Sequence, residues 1–140
     1  MLSFVFGGAH QGKWAFVKRE LLKEKTFYLD GHDAELDFDW PEGEGALVFN
    51  CFHHWVKRQL AVDRDPILAT QDLLVQAQGL ELIIVCDDIS CGIVSASPFD
   101  RRYRQILGQI MQSLSQEAEL VIRLLCGIPE VIKDEKRIEE

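Results

Sequence analysis

The feature that most constrains this chain is Gly7-Gly8-Ala9-His10-Gln11-Gly12-Lys13, which fits the pattern G-x-x-x-x-G-K. It follows the apolar run Leu2-Ser3-Phe4-Val5-Phe6, which reads as a short buried strand. It opens a helical pattern from Lys13 to Lys25, with Trp14, Val17, Leu21 and Leu22 on one side. Strand, glycine loop and helix in that order build an anion cradle. The glycines let the backbone wrap so that its N–H groups point inward, the helix N-terminus adds partial positive charge, and Lys13 adds a full one. Gly7, Gly8, Ala9, His10, Gln11, Gly12, Lys13 and Trp14 are therefore the residues predicted to hold the phosphates of a nucleotide, with Lys13 acting on the reacting phosphate. The position after the lysine ordinarily carries Ser or Thr, whose hydroxyl holds Mg²⁺, and Trp14 has no oxygen to give. The acidic residue that usually completes such a metal site, at the end of a neighbouring strand, is replaced after Ala46-Leu47-Val48-Phe49 by the neutral amide of Asn50.

Beyond the loop, strand and helix patterns alternate. Thr26–Leu29 is a second strand candidate, residues 30–45 form an acidic, glycine-bearing loop, and Ala46–Phe49 is a third strand. Cys51–Val62 has a helical pattern, and Pro66 opens another helix that runs to about Gln78, where Gly79 stops it. Leu82–Cys86 is continuously apolar, as a parallel strand covered on both faces must be. Between Pro98 and Ala118, Tyr103, Ile106, Leu107, Ile110, Leu114 and Ala118 recur at helical spacing, and Leu120–Cys126 is a fifth strand ended by Gly127 and Pro129. The expected fold is α/β, with a mainly parallel sheet and helices on both faces. The 140 residues suit one domain, and Lys133–Glu140 is expected to be a solvated charged tail.

The net charge of −8 disfavours binding to a nucleic-acid backbone. No apolar run approaches the roughly 20 residues a membrane helix needs, and the first residues lack a basic leader, so a cytoplasmic location is expected. Four cysteines (Cys51, Cys86, Cys91, Cys126) are expected as free thiols, and no Cys-x-x-Cys pair marks a structural zinc site. Asp87 and Asp88 end the most apolar strand, at the edge where open α/β sheets bind ligands, and their carboxylates could hold Mg²⁺ or accept a proton. His53 and His54 follow the third strand; as helix neighbours they are expected to face different sides, one packed and one wet. Arg101, Arg102 and Arg104 form a basic cluster read as a charged helix face, with phosphate or subunit contact as the other uses.

The stretch from Ile83 to Arg104, Ile-Ile-Val-Cys-Asp-Asp-Ile-Ser-Cys-Gly-Ile-Val-Ser-Ala-Ser-Pro-Phe-Asp-Arg-Arg-Tyr-Arg, resembles the V-S-N-E-V-G-x-G-I-V-P and R-x-[FY]-R-D string of one family. That family is the bifunctional adenosylcobinamide kinase / adenosylcobinamide-phosphate guanylyltransferases. Gly108–Gln112, Glu119–Lys133 with Gly127-Ile128-Pro129, Phe49-Asn50-Cys51 and the first 13 residues continue the likeness. The resemblance implies a three-layer phosphate-loop NTPase fold of the RecA type and a place in cobalamin biosynthesis. Its two steps are phosphorylation of the cobinamide hydroxyl by ATP or GTP, then GMP transfer through a guanylylated histidine. It further implies Mg²⁺ as a companion of the nucleotide, homotrimers, a metal-side position for Asn50, and a catalytic or metal-side role for Asp88. The family's H-R-x-x-R-P-x-x-W segment is missing between Leu29 and Ala46, which leaves His32 as the positional candidate for the guanylyl acceptor. Trp14, Asn50 and the missing segment also admit a second reading, a degenerate paralogue that binds nucleotide or corrinoid as a regulatory or subunit protein.

Overall fold

The computed structural model describes residues 1–9, 12–37, 39–40, 45–89 and 97–135. Ten elements follow one another: β1 (Leu2–Gly7), α1 (Lys13–Glu20), β2 (Thr26–Asp30), β3 (Ala46–Asn50), α2 (Phe52–Ala61), α3 (Pro66–Gln76), β4 (Glu81–Asp87), α4 (Pro98–Glu117), β5 (Leu120–Leu125) and β6 (Ile128–Asp134). They build one six-stranded sheet in the order β2-β3-β4-β1-β5-β6. Every pairing is parallel except β5 with β6. The chain moves outward from β1 to β2 and returns through β3 to β4, then α4 carries it across β1 to β5. Gly7, Asn50 and Asp87 thus end adjacent strands at the same edge, where the direction of winding reverses.

The alternation of β4 explains its unbroken apolar run. Leu82, Ile84 and Cys86 pack with Phe52, Trp55, Leu73, Leu107 and Leu114 from α2, α3 and α4. Ile83 and Val85 pack on the other face with Phe16 and Val17 of α1. Both faces are dry, which is the environment that rewards a strand without polar residues. The result is the three-layer α/β arrangement expected, with a mainly parallel sheet and a phosphate-loop NTPase-like order of elements.

Local chemistry sets the helix boundaries. The Asp65 carboxylate accepts from the N–H groups of Ile67 and Leu68, and Pro66 occupies the first turn of α3 where a missing N–H costs nothing. Ser97 caps α4 in the same way, accepting from the Asp100 N–H, and Tyr103, Leu107, Ile110 and Leu114 form its buried stripe. Three expectations need correction. Helix α1 stops at Glu20 instead of Lys25; Thr26 Oγ1 bonds both the N–H and the carbonyl of Lys23, turning the backbone into β2. Strand β2 continues through Asp30, which the sequence pattern assigned to the acidic loop. Gly127 and Pro129 do not end the sheet. Cys126 and Gly127 take φ 52° and 76°, a two-residue turn with both centres left-handed, as tight hairpins require. A sixth, antiparallel strand follows, so Lys133 and Asp134 pair with Val121 and Leu120 instead of starting a solvated tail.

Candidate functional site

Strand β1 delivers the loop and α1 receives it. At Gly7 a Cβ would lie 2.5 Å from the Leu124 carbonyl oxygen, so β5 can approach only because no side chain is there. Gly12 caps α1 at φ 85°, in the left-handed region glycine enters without cost. Lys13 is then the first residue of α1 and is buried, 8 % exposed. Its Nζ donates to the Gly8 carbonyl at 2.7 Å and meets Asp87 Oδ1 at 2.6 Å. A buried ammonium needs such a counter-charge, and the pairing holds the lysine head at the loop. His10 and Gln11, predicted phosphate contacts, lie outside the described residues.

Asp87 is tied in turn to His53. The Asp87 N–H donates to His53 Nδ1 at 3.0 Å, which makes Nδ1 the bare nitrogen of the ring. Nε2 then carries the hydrogen and faces Asp87 Oδ2 at 3.3 Å. Burial pushes His53 down to about 4, the Asp87 charge only partly opposing it, so the ring is neutral in this arrangement. From the opposite side, the Tyr103 hydroxyl donates to the His53 carbonyl at 2.8 Å, fixing the start of α2 on α4. Lys13, Asp87 and His53 are thus one connected unit. The sequence singled out the first, but it gave no reason to join the other two to it.

Next to this unit, where a metal-binding phosphate loop would carry its oxygen ligands, the side chains engage one another. The Trp14 ring lies 5.0 Å from that of Tyr28. Asn50 Nδ2 donates to the Tyr28 hydroxyl at 3.1 Å, and that hydroxyl donates to Asp30 Oδ2 at 3.3 Å. Burial raises the Tyr28 hydroxyl from its ordinary value, which keeps it a donor. Mg²⁺ prefers a compact octahedron of oxygens. Here the position after the lysine offers an indole, the Asn50 amide is engaged by Tyr28, and the Asp87 oxygens face Lys13 and His53. These residues do not fit a resident Mg²⁺ held by the protein.

His32 follows β2 and is more than half exposed. Its N–H and its Nδ1 both meet Asp30 Oδ1, at 2.9 and 2.7 Å. Burial alone would raise the Asp30 carboxyl, yet these hydrogen bonds from His32 outweigh it and lower it. The His32 ring lies 3.8 Å from that of His54, and His54 lies 4.3 Å from His53. The two adjacent histidines were expected on different sides of a helix. They do differ in burial, His53 being buried and His54 half-buried, but at the first turn of α2 their rings meet. His32, His53, His54, Asn50, Cys51, Lys13, Trp14 and Asp87 share the lining of one open cavity of about 460 Å³.

Asp88 is placed differently from Asp87. Its N–H donates to the Gly7 carbonyl at 2.7 Å. It lines a second hollow of about 410 Å³, together with Gly8, Arg104 and Arg123, and Asp87 borders both hollows. The carboxylate that touches Lys13 is that of Asp87. Arg101 and Arg102 are exposed on α4, apart from both hollows. None of Cys51, Cys86 and Cys126 is in a disulfide, whereas Cys91 lies outside the described residues. Among the described residues no helix is long and apolar enough to cross a membrane.

A comparison with protein-family models matches residues 34–132 to the family described as cobinamide kinase / cobinamide phosphate guanyltransferase. The match covers more than half of the chain. This chain belongs to that family. Its membership places it among nucleotide-binding transferases of cobalamin biosynthesis. The matched span runs from just after β2 into β6 and includes Asn50, His53, Asp87 and Asp88. It begins after Lys13 and His32, so the reading of the glycine loop rests on its own pattern and geometry. No curated protein matches the chain.

Proposed function

We propose that this family member binds the phosphates of GTP or ATP on the loop from Gly7 to Lys13 and transfers a phosphoryl group to the hydroxyl of cobinamide. The observation that carries this reading is the buried Lys13 ammonium, held between the Gly8 carbonyl and Asp87 at the head of α1. Phosphoryl transfer depends on position and charge more than on covalent chemistry. In this reading Lys13 turns toward the reacting phosphate and neutralises the charge that develops on it. Asp87 holds the lysine in place, and the neutral His53, donating from Nε2, steadies Asp87. In this reading the acceptor substrate approaches the loop from the second hollow, which Asp88 and Arg104 line. The guanylyl half of the family's chemistry is not part of this reading. His32 contacts a carboxylate and another imidazole, and neither supplies the fixed positive charge that would stabilise the anionic phosphoramidate of a guanylylated histidine. Homotrimers, which the resemblance implies, belong to the proposal as well.

One observation favours a second reading. Trp14 and Asn50 are drawn into the group around Tyr28, which suits a protein that binds nucleotide or corrinoid without turning it over. Isothermal titration calorimetry with GTP and ATP, with and without Mg²⁺, on the parent chain and on Lys13→Ala tests both. The proposal expects binding that Lys13→Ala abolishes, followed by cobinamide-dependent formation of nucleoside diphosphate. Binding without turnover supports the second reading. No heat up to millimolar nucleotide overturns the phosphate-loop assignment.

A further inference from the structure

We propose that Asp30, His32 and Cys51 form a site for a borderline transition-metal ion of the Zn²⁺ class, separate from any Mg²⁺ that accompanies a nucleotide. The carboxylate, imidazole and thiol each offer one ligand atom, and these atoms lie within 4.8 Å of one another. The sheet brings them together. Strands β2 and β3 run parallel with Asp30 opposite Asn50, and the Gly31 N–H donates to the Asn50 carbonyl at 2.8 Å. His32 therefore stands next to Cys51, although 19 positions separate the two along the chain. No Cys-x-x-Cys spacing is needed when two strand ends supply the ligands.

The chemistry of the donor set selects the ion. Thiolate and imidazole together suit Zn²⁺ or Co²⁺ and disfavour Mg²⁺ and Ca²⁺, which take oxygen ligands. The supporting groups are in place. The Tyr28 hydroxyl and the His32 N–H hold the Asp30 carboxylate, and the His54 ring packs on the His32 ring. Such outer contacts orient ligands and raise affinity. Three protein ligands leave the fourth tetrahedral position open, as reactive rather than structural zinc sites do. His32 and Cys51 line the same cavity as Lys13, so water or an oxygen of a bound ligand would complete the sphere from that side. Binding releases the Cys51 thiol proton. A metal-bound imidazole has no lone pair for nucleophilic attack, so this use of His32 and a guanylyl-acceptor use exclude each other.

The test is a titration of the metal-free chain with Co²⁺ alone, followed by absorption, with Zn²⁺ competition. The expected result is one equivalent bound, with a near-ultraviolet thiolate-to-cobalt band and visible bands of low coordination number, all displaced by Zn²⁺. Cys51→Ser should abolish the near-ultraviolet band, and His32→Ala should weaken Zn²⁺ binding by more than about tenfold. Cys91→Ser and Cys126→Ser should leave the band intact, and circular dichroism of each variant checks its fold. Absence of the band at stoichiometric cobalt, or a band that survives Cys51→Ser, overturns the proposal. Nucleotide enters none of these measurements, so failure here is distinct from failure of the kinase reading.

Discussion

At the scale of single residues, the site depends on a lysine and a neutral histidine sharing one carboxylate. His53 is buried and held down to about 4, chiefly by loss of solvent, whereas in the unfolded chain it takes up a proton near its usual 6.5. Between those values the unfolded state binds more protons than the folded one. Stability contributed by neutral His53 is therefore present above about pH 6.5 and is lost as pH falls toward 4. In chelator-treated protein, unfolding by urea should show a midpoint that drops between pH 7 and pH 4.5. The loss should be on the order of 1–3 kcal/mol. His53→Asn keeps an acceptor for the Asp87 N–H but does not titrate, so its midpoint should fall less over the same range; an equal fall would assign the effect to other groups. Lys13 could be found from sequence because G-x-x-x-x-G-K is a local signal. Its carboxylate partner could not, since choosing Asp87 over Asp88 depends on the register that sets Gly7 beside Asp87. His53 lies 34 positions from Asp87, and only the packing of α2 on β4 joins them.

At the scale of elements, the junction of β2 with the start of α2 is the tightest point near the site. A Cβ on Gly31 would stand 2.0 Å from the Cys51 carbonyl oxygen and 3.0 Å from the Trp55 nitrogen, both rigid backbone atoms. Cys51 itself sits at φ 53°, and Arg58 reaches across to donate to the Gly31 and Ala34 carbonyls. Gly31→Ala should therefore force the two segments apart, costing about 2–4 kcal/mol in urea unfolding. It should also displace His32 from Cys51, weakening the cobalt spectrum in whatever fraction remains folded. A loss below about 0.5 kcal/mol would show that this junction is not tightly packed in solution. The same parallel order that creates the junction was legible beforehand, because apolar runs alternating with helical stripes admit few topologies. Strand β6 was not, because its turn is Cys126-Gly127 and not the Asn-Gly or Asp-Gly that marks such hairpins. Proline and exposed apolar residues beyond that turn resemble a chain end in sequence, yet Pro129 is tolerated because β6 is an edge strand.

At the scale of the whole molecule, a chain of net charge −8 is asked to take up a polyanion. Distant carboxylates repel the incoming nucleotide, while Lys13 and the loop attract it only at short range and from a buried position. Salt separates the two effects. The screening length is about 30 Å at 0.01 M and about 8 Å at 0.15 M, so the long-range repulsion fades first and the contact at the loop is affected least. Association of a fluorescent nucleotide, followed by stopped flow, should accelerate roughly two- to fivefold across that range, with the dissociation rate little changed. A nucleic-acid-binding protein behaves in the opposite sense, because its basic surface loses attraction as salt rises. Should association slow instead, the field at the entrance must be positive despite the net charge. Arg104 and Arg123, which line the hollow beside Gly7 and Gly8, are the groups that could make it so. Replacing both with glutamine would then restore acceleration by salt, which would make that hollow the route by which phosphate reaches Lys13.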